Sequence, residues 1–513
     1  MSSRERSFGA NAILSWGGWI VPAVAAFVAV PITVRGLGAS EYGLLALTGS
    51  LTGYLGLMEM GLGSAIMRYL SYYRALNEGR PMLAVISFGL RWFSAAGAIG
   101  GVFLWLAAPW LATSVLKVPA GLLPTAITVI RLTGVNFFLG LVVSIGPAIP
   151  QSFLRYDISS AVAATWGTLS SAGPAVIVTL GYGLIAIVIF SIVINALAIV
   201  VYAAIAIRLF GDVARSAGPP WREIRRKTLS FAGMSALNSA GYTVAQQTNR
   251  LVVGIAGGVA AAAYYQVPYV LASRVSDLLT AVAQVLFPTA AAMFARDDRE
   301  GVRSLYLRSS RLFFLVNMSG SVGLCVLAHP LLRYWVSDSY AREGAVALAL
   351  FALAQAFHSA AMAASYVNLS AARPAINLVF STMSSAICLA AVYPLTVRYG
   401  VNGAAAAMVL SSANVPYFLY YSQKNVVGVS SWLVWRRCYQ PTMIGSAITA
   451  VAGYFLLRPL CHGLLLTLVL WCVYVLLDCV VSGALGAVSH EDLQTARRML
   501  ANMWRKIRRQ HDD

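Results

Sequence analysis

Apolar runs about as long as a bilayer's hydrocarbon core is thick recur along this whole chain, and nothing else in the sequence constrains it so tightly. No water inside a bilayer satisfies backbone amides, so a crossing segment must be a helix or part of a closed barrel. The runs here are continuous rather than alternating, which selects helices. Composition agrees. Of 513 residues, 59% are apolar and 11% charged, outside the range of a soluble domain. The expected fold class is an all-α polytopic membrane protein.

We count about fourteen spans, at roughly 11–33, 43–66, 84–110, 122–148, 158–180, 183–207, 230–253, 260–290, 310–332, 345–369, 374–396, 401–421, 441–457 and 463–486. The first run follows Arg4 and Arg6 and is too long for the core of a cleavable signal. Pro22, Pro174, Pro268 and Pro416 lie inside spans, where neighbours re-satisfy the freed carbonyl and the helix bends. Pro22, close behind Gly17 and Gly18, marks either a hinge or a fixed curve.

Short loops carry Lys and Arg on the cytoplasmic side. With the N-terminus inside, the outer loops hold only Arg35, Lys117, Arg333, Arg342, Arg398 and Arg458, and most of the 37 basic residues fall inside. Both termini are therefore expected in the cytoplasm. The longest link contains Gly218-Pro219-Pro220 and a basic run. It divides the chain into an N-terminal lobe at 1–208, a cytoplasmic basic linker at 209–229 and a C-terminal lobe at 230–421. An appended helix pair at 422–486 and a basic amphipathic tail at 487–513 follow. Turn residues recur at a near-constant offset: Gly38 with Gly258, Arg155 with Arg373, and Tyr182-Gly183 with Tyr399-Gly400. Six spans per lobe then give a parallel repeat of two pseudo-symmetric six-helix lobes, with substrate expected between them near the midplane. The tail carries Leu493, Met499, Leu500, Met503 and Trp504 on one stripe among arginines, which suits an anionic inner leaflet and not a nucleic acid.

No catalytic constellation emerges. None of Lys117, Lys227, Lys424 and Lys506 lies in a phosphate-binding glycine loop, the six cysteines lack metal spacing, and His358 is alone in its span. An enzyme is not expected, which leaves transport. Charges are rare in lipid-crossing helices and usually face a bundle interior or a watery cavity. Arg274 and Asp277 are three residues apart on one helix face, placed to form either a structural ion pair or part of a substrate site. Gln246, Gln247, Asn249 and Arg250 in span seven, Arg131 in span four, and Gln284 further along span eight complete the candidate cavity. Its arginines favour an anionic substrate such as a pyrophosphate, with an internal ion-pairing role standing beside that for each. Glu59 and Asp277 are the candidates for coupling to an ion. Asp478 falls outside the two lobes and reads as an interhelical hydrogen-bonding residue or part of a lipid-facing groove.

Several stretches carry a family resemblance: Arg35-Gly36-Leu37-Gly38 with Glu41-Tyr42-Gly43, Glu59-Met60-Gly61-Leu62-Gly63 with Arg68, Asn249-Arg250-Leu251-Val252-Val253-Gly254, Leu286-Phe287-Pro288, and the inner turns at Arg155 and Arg373. In their order and placement they resemble the oligosaccharide flippases of the Wzx type, within the multidrug/oligosaccharidyl-lipid/polysaccharide (MOP) flippase superfamily. The resemblance implies a V-shaped pair of lobes working by alternating access. It implies carriage of an undecaprenyl-pyrophosphate-linked oligosaccharide across the bacterial inner membrane, for O-antigen, capsule or exopolysaccharide. A polysaccharide polymerase and a chain-length regulator are the implied partners. No cofactor is implied beyond a coupling ion, H+ or Na+. The family often has an acid before the span-seven arginine, and Asn249 stands there, which puts coupling at this position in doubt. The alternatives are a multidrug or cation exporter of the same superfamily, against which the basic cavity argues, and a lipid II flippase.

Overall fold

The computed structural model describes residues 3–488 except 60, 77, 154, 211–242 and 284–285, with side chains from 21 onward apart from 64, 75, 156, 278, 281–282 and 288. The linker from 211, the tail from 489 and Gln284 lie outside the described residues. Helices account for the regular structure throughout, and no strand occurs among the described residues. Nine stretches among them are long and apolar enough to cross a membrane.

Three of these stretches contain a residue with non-helical backbone angles, Gly38, Gly400 and Gly486. Helix α1, Ser3–Leu55, changes direction at Gly38, whose φ of 75° and ψ of 169° are outside the helical region. Positive φ is costly for any residue with a Cβ, so glycine is what permits the break. The chain continues through a short turn at Gly56–Glu59 into α2, Leu62–Ala75, then α3 at Gly79–Trp110 and α4 at Leu123–Val143. Next come α5 at Ala148–Ser152, α6 at Tyr156–Thr179, α7 at Leu184–Phe210, α8 over 243–257 and α9 at Val259–Ala283. The remaining helices are α10, Leu286–Ala295; α11, Arg299–Trp335; α12, Asp338–Ser370; and α13, Pro374–Ser411, which breaks at Gly400 (φ 59°). Short α14, Val415–Ser422, and α15, Ser431–Val434, lead to α16, Gln440–Leu456, and α17, Leu464–Ser482.

The chain forms two compact units, one up to Gln266 and one from Val267. Lipid tails are as apolar as leucine, so burial alone does not pull membrane helices together, and close approach at small residues does. In the first unit α3 and α4 meet backbone to backbone, where a Cβ on Gly134 would lie 2.7 Å from the Gly101 carbonyl oxygen. Pro22 on α1 lies against Gly167 on α6. One apolar cluster gathers Ala65, Ile66 and Leu70 of α2 with Phe88 and Phe93 of α3; another gathers Leu44 and Leu47 with Leu104, Ile130 and Val259. In the second unit α11 is the central helix, its mid-section Ser319, Gly320, Ser321 and Gly323 enclosed by neighbours.

The turn residues paired in the sequence can be compared locally in the backbone. Arg155 and Arg373 are the residues before α6 and α13, and each amide donates to the carbonyl five residues back, Pro150 and Asn368, at 2.9 Å. Gly38 and Gly258 both have positive φ, 75° and 84°. The Tyr-Gly turns match less closely, because the left-handed residue is Gly181 in one and Gly400 in the other.

Candidate functional site

Gln247, Thr248 and Arg250 of α8 face the second arm of α1, within the first unit. Glycines on both helices set the spacing. A Cβ on Gly254 would overlap the Leu47 side chain and one on Gly53 the Gln247 amide, while one on Gly43 would overlap the Val259 carbonyl at the start of α9. The Tyr54 hydroxyl hydrogen-bonds Thr248, whose hydroxyl also donates to the Val244 carbonyl at 2.7 Å. Arg250 lies beside Gly49, its Nη1 4.0 Å from where a Cβ would stand. The Arg250 Nε and the Gln247 Oε1 are buried with no hydrogen-bond partner among the described residues. Asn249 is buried, and Gln246 is partly buried.

Arg131 projects from α4 over the ring of Trp105 on α3, at 5.7 Å from its centroid, and its Nε is likewise buried without a partner. Further along α4, Asn136 accepts a 2.9 Å hydrogen bond from Asn195 of α7. Glu59 stands beside the start of α2, its Oε1 2.8 Å from where a Cβ on Gly63 would lie.

In the second unit Arg274 and Asp277 meet at 3.5 Å, with side chains 46% and 49% exposed. The same helix is tied to α11 through Ser276, which accepts a 2.9 Å hydrogen bond from Asn317. His358 is a satisfied core histidine, its Nδ1 within 3.0 Å of the Ala354 carbonyl and 2.9 Å of the Ser412 hydroxyl. The structure thus places Gln246, Gln247, Asn249, Arg250, Arg131 and Glu59 in the first unit and Arg274 and Asp277 in the second. Sequence reasoning missed Trp105, Tyr54 and Thr248. Their signal is tertiary, since ordinary aromatic and hydroxyl residues acquire meaning only from the arginine or helix beside them.

Chemically, a guanidinium with an unpartnered buried N–H can donate to a phosphate or carboxylate oxygen. No group of three or more His, Cys, Asp or Glu that could hold a metal occurs among the described residues.

Comparison with known proteins places the chain first by class. Its fold is that of the MOP-superfamily transporters. It is similar to an inward-facing multidrug resistance MATE family transporter of that superfamily, with a TM-score of 0.68 and 16% identity over 81% of this chain and 98% of that one. It is similar to the lipid II flippase MurJ in an inward closed conformation, with a TM-score of 0.63 and 13% identity over 90% and 97%. A MOP transporter from Pyrococcus furiosus, described by a reversed polarity of its binding pocket, aligns with a TM-score of 0.54 and 14% identity over 82% and 95%. The family is narrower: residues 32–345, more than half of the chain, match the polysaccharide biosynthesis protein family, and the chain belongs to it. It is 24% identical over 322 residues to the uncharacterized membrane protein EpsK of Bacillus subtilis (strain 168), a match over 60% of this chain and 61% of that relative's length. The chain is a multi-pass membrane protein of that family.

Proposed function

We propose that this protein moves an undecaprenyl-pyrophosphate-linked oligosaccharide from the inner to the outer leaflet of the bacterial inner membrane, by alternating access, for surface polysaccharide assembly. The observation that carries this reading is the pair of arginines in the first unit, Arg131 and Arg250, whose buried Nε groups have no protein partner among the described residues. Such donors suit the oxygens of a pyrophosphate. Membership of a polysaccharide biosynthesis family supports the same substrate class. Gln246, Gln247 and Asn249 supply replaceable polar groups for sugars, and Arg274 with Asp277 forms a second polar station on α9. The chain crosses the bilayer fourteen times with both termini in the cytoplasm, and a polymerase and a chain-length regulator take over the product. The runner-up is export of drugs or cations, the activity named for the multidrug resistance relative of this fold. Buried guanidinium groups with an unsatisfied N–H disfavour a cationic cargo.

The test uses a deletion strain, scoring surface polysaccharide and the lipid-linked oligosaccharide retained on the inner leaflet. Loss of polymer with build-up of the intermediate, both restored by the wild-type gene, is the expected result. Arg250→Gln and Arg131→Gln should each lower flipping roughly ten- to a hundredfold while reaching the membrane at normal abundance, the loss expected for one charge-assisted hydrogen bond. Normal polymer with raised drug sensitivity in the deletion strain would replace this reading with the exporter.

A further inference from the structure

Among the described residues Asp478 is the only aspartate or glutamate that is buried, at 0% exposure. It lies on α17 and is reached from two neighbouring helices. Ser319 of α11 and Ser446 of α16 donate to its Oδ2, the latter at 2.9 Å, and Thr449 of α16 donates to its Oδ1. The Thr449 hydroxyl also meets the Tyr474 hydroxyl at 3.1 Å. One turn along from Ser446 and from Asp478, Thr442 and Ser482 are 0% exposed, and both hydroxyls are without a partner. The Ser482 hydroxyl faces Gly445, next to Ser446.

No Lys, Arg or His pairs with Asp478 among the described residues, whose ion pairs lie elsewhere. The titratable groups around it are Tyr474 and Cys479 on its own helix, with Cys325 of α11 beyond Tyr474; α16 brings only hydroxyls. All three neighbours are neutral or anionic, never cationic. Hydroxyls orient dipoles toward a carboxylate but bring no net charge, and a buried charge needs a counter-charge. The donor set is oxygen only, which suits a hard cation. One carboxylate balances one positive charge, and a divalent ion would leave a surplus charge in the apolar interior.

We propose that Asp478, with Ser319, Ser446 and Thr449, forms a binding site for one small monovalent cation, a proton or a sodium ion. The bound cation neutralises the carboxylate. The hydroxyls both donate and accept, so they can turn oxygen to sodium or share the proton. Because the cage joins α11, α16 and α17, occupancy sets how firmly these three helices hold together. Neither Glu59, set against the start of α2, nor Asp277, paired with Arg274, has such a cage.

The test is thermal unfolding of the purified full chain, followed by tryptophan fluorescence. Sodium chloride is titrated against potassium and choline chloride at constant ionic strength, and pH is then varied without sodium. A saturable rise in midpoint with sodium alone, on the order of 2–4 °C or more, identifies sodium. A rise on acidification that needs no sodium identifies the proton, since a fold that binds a proton loses stability as pH rises. Whichever dependence the wild type shows should vanish in Asp478→Asn, which keeps the side chain's shape. Thr449→Val retains the carboxylate and should weaken apparent cation affinity about tenfold. A wild-type midpoint insensitive to both cations, or a dependence kept in full by Asp478→Asn, would overturn the proposal. If Asp478→Asn does not fold, unchanged cation dependence in both Thr449→Val and Ser446→Ala overturns it instead.

Discussion

A charged residue in a membrane helix means little until its surroundings are known, and the arginines here divide on that ground. Arg274 stands out in the sequence because Asp277 lies three residues away, and the structure brings the two together at 3.5 Å. That spacing is set by helix geometry alone and was legible. The isolation of the Arg131 and Arg250 Nε groups was not, because it depends on which neighbouring helices come close and what they carry. A pair about half exposed is worth little when hydrated, roughly 0.3–0.5 kcal/mol. Asp277→Asn should therefore move the thermal midpoint by no more than about 2 °C. A drop beyond about 5 °C would mean that the pair faces lipid, where an uncompensated arginine is far costlier.

At the scale of helices, the second arm of α1 fits against α8 and the start of α9 because glycines stand at the points of close approach. Gly43, Ser50 and Gly53 recur at helical spacing, a stripe visible in the sequence. Its partner was not visible, since a stripe of small residues does not say which helix it admits. Gly43→Val would push a branched side chain into the Val259 carbonyl. We expect a loss of about 1–3 kcal/mol, read as a lower midpoint and lower membrane abundance, with Gly43→Ala in between. Gly56 has open space around its Cβ position, and Gly56→Ala serves as the neutral control. Equal effects at the two positions would mean that close approach at Gly43 contributes nothing.

For the molecule as a whole, the all-helical membrane class was legible from apolar run length, because lipid leaves the backbone so few options. Less legible was where compact units begin and end. The contact boundary lies within α9, after Gln266, while the basic linker from 211 lies outside the described residues. Sidedness rests on the Lys and Arg distribution alone. A reporter fused after Val488 should be active only in its cytoplasmic form, and periplasmic activity would invert the proposed orientation. The breaks at Gly38 and Gly400 bear on the living cell in another way. Each helix changes course within a single residue, so its two arms share no slack. Proteases cut where a chain can be drawn out into an extended loop. A protease added to intact cells should therefore find nothing to cut at either glycine, whichever leaflet they face.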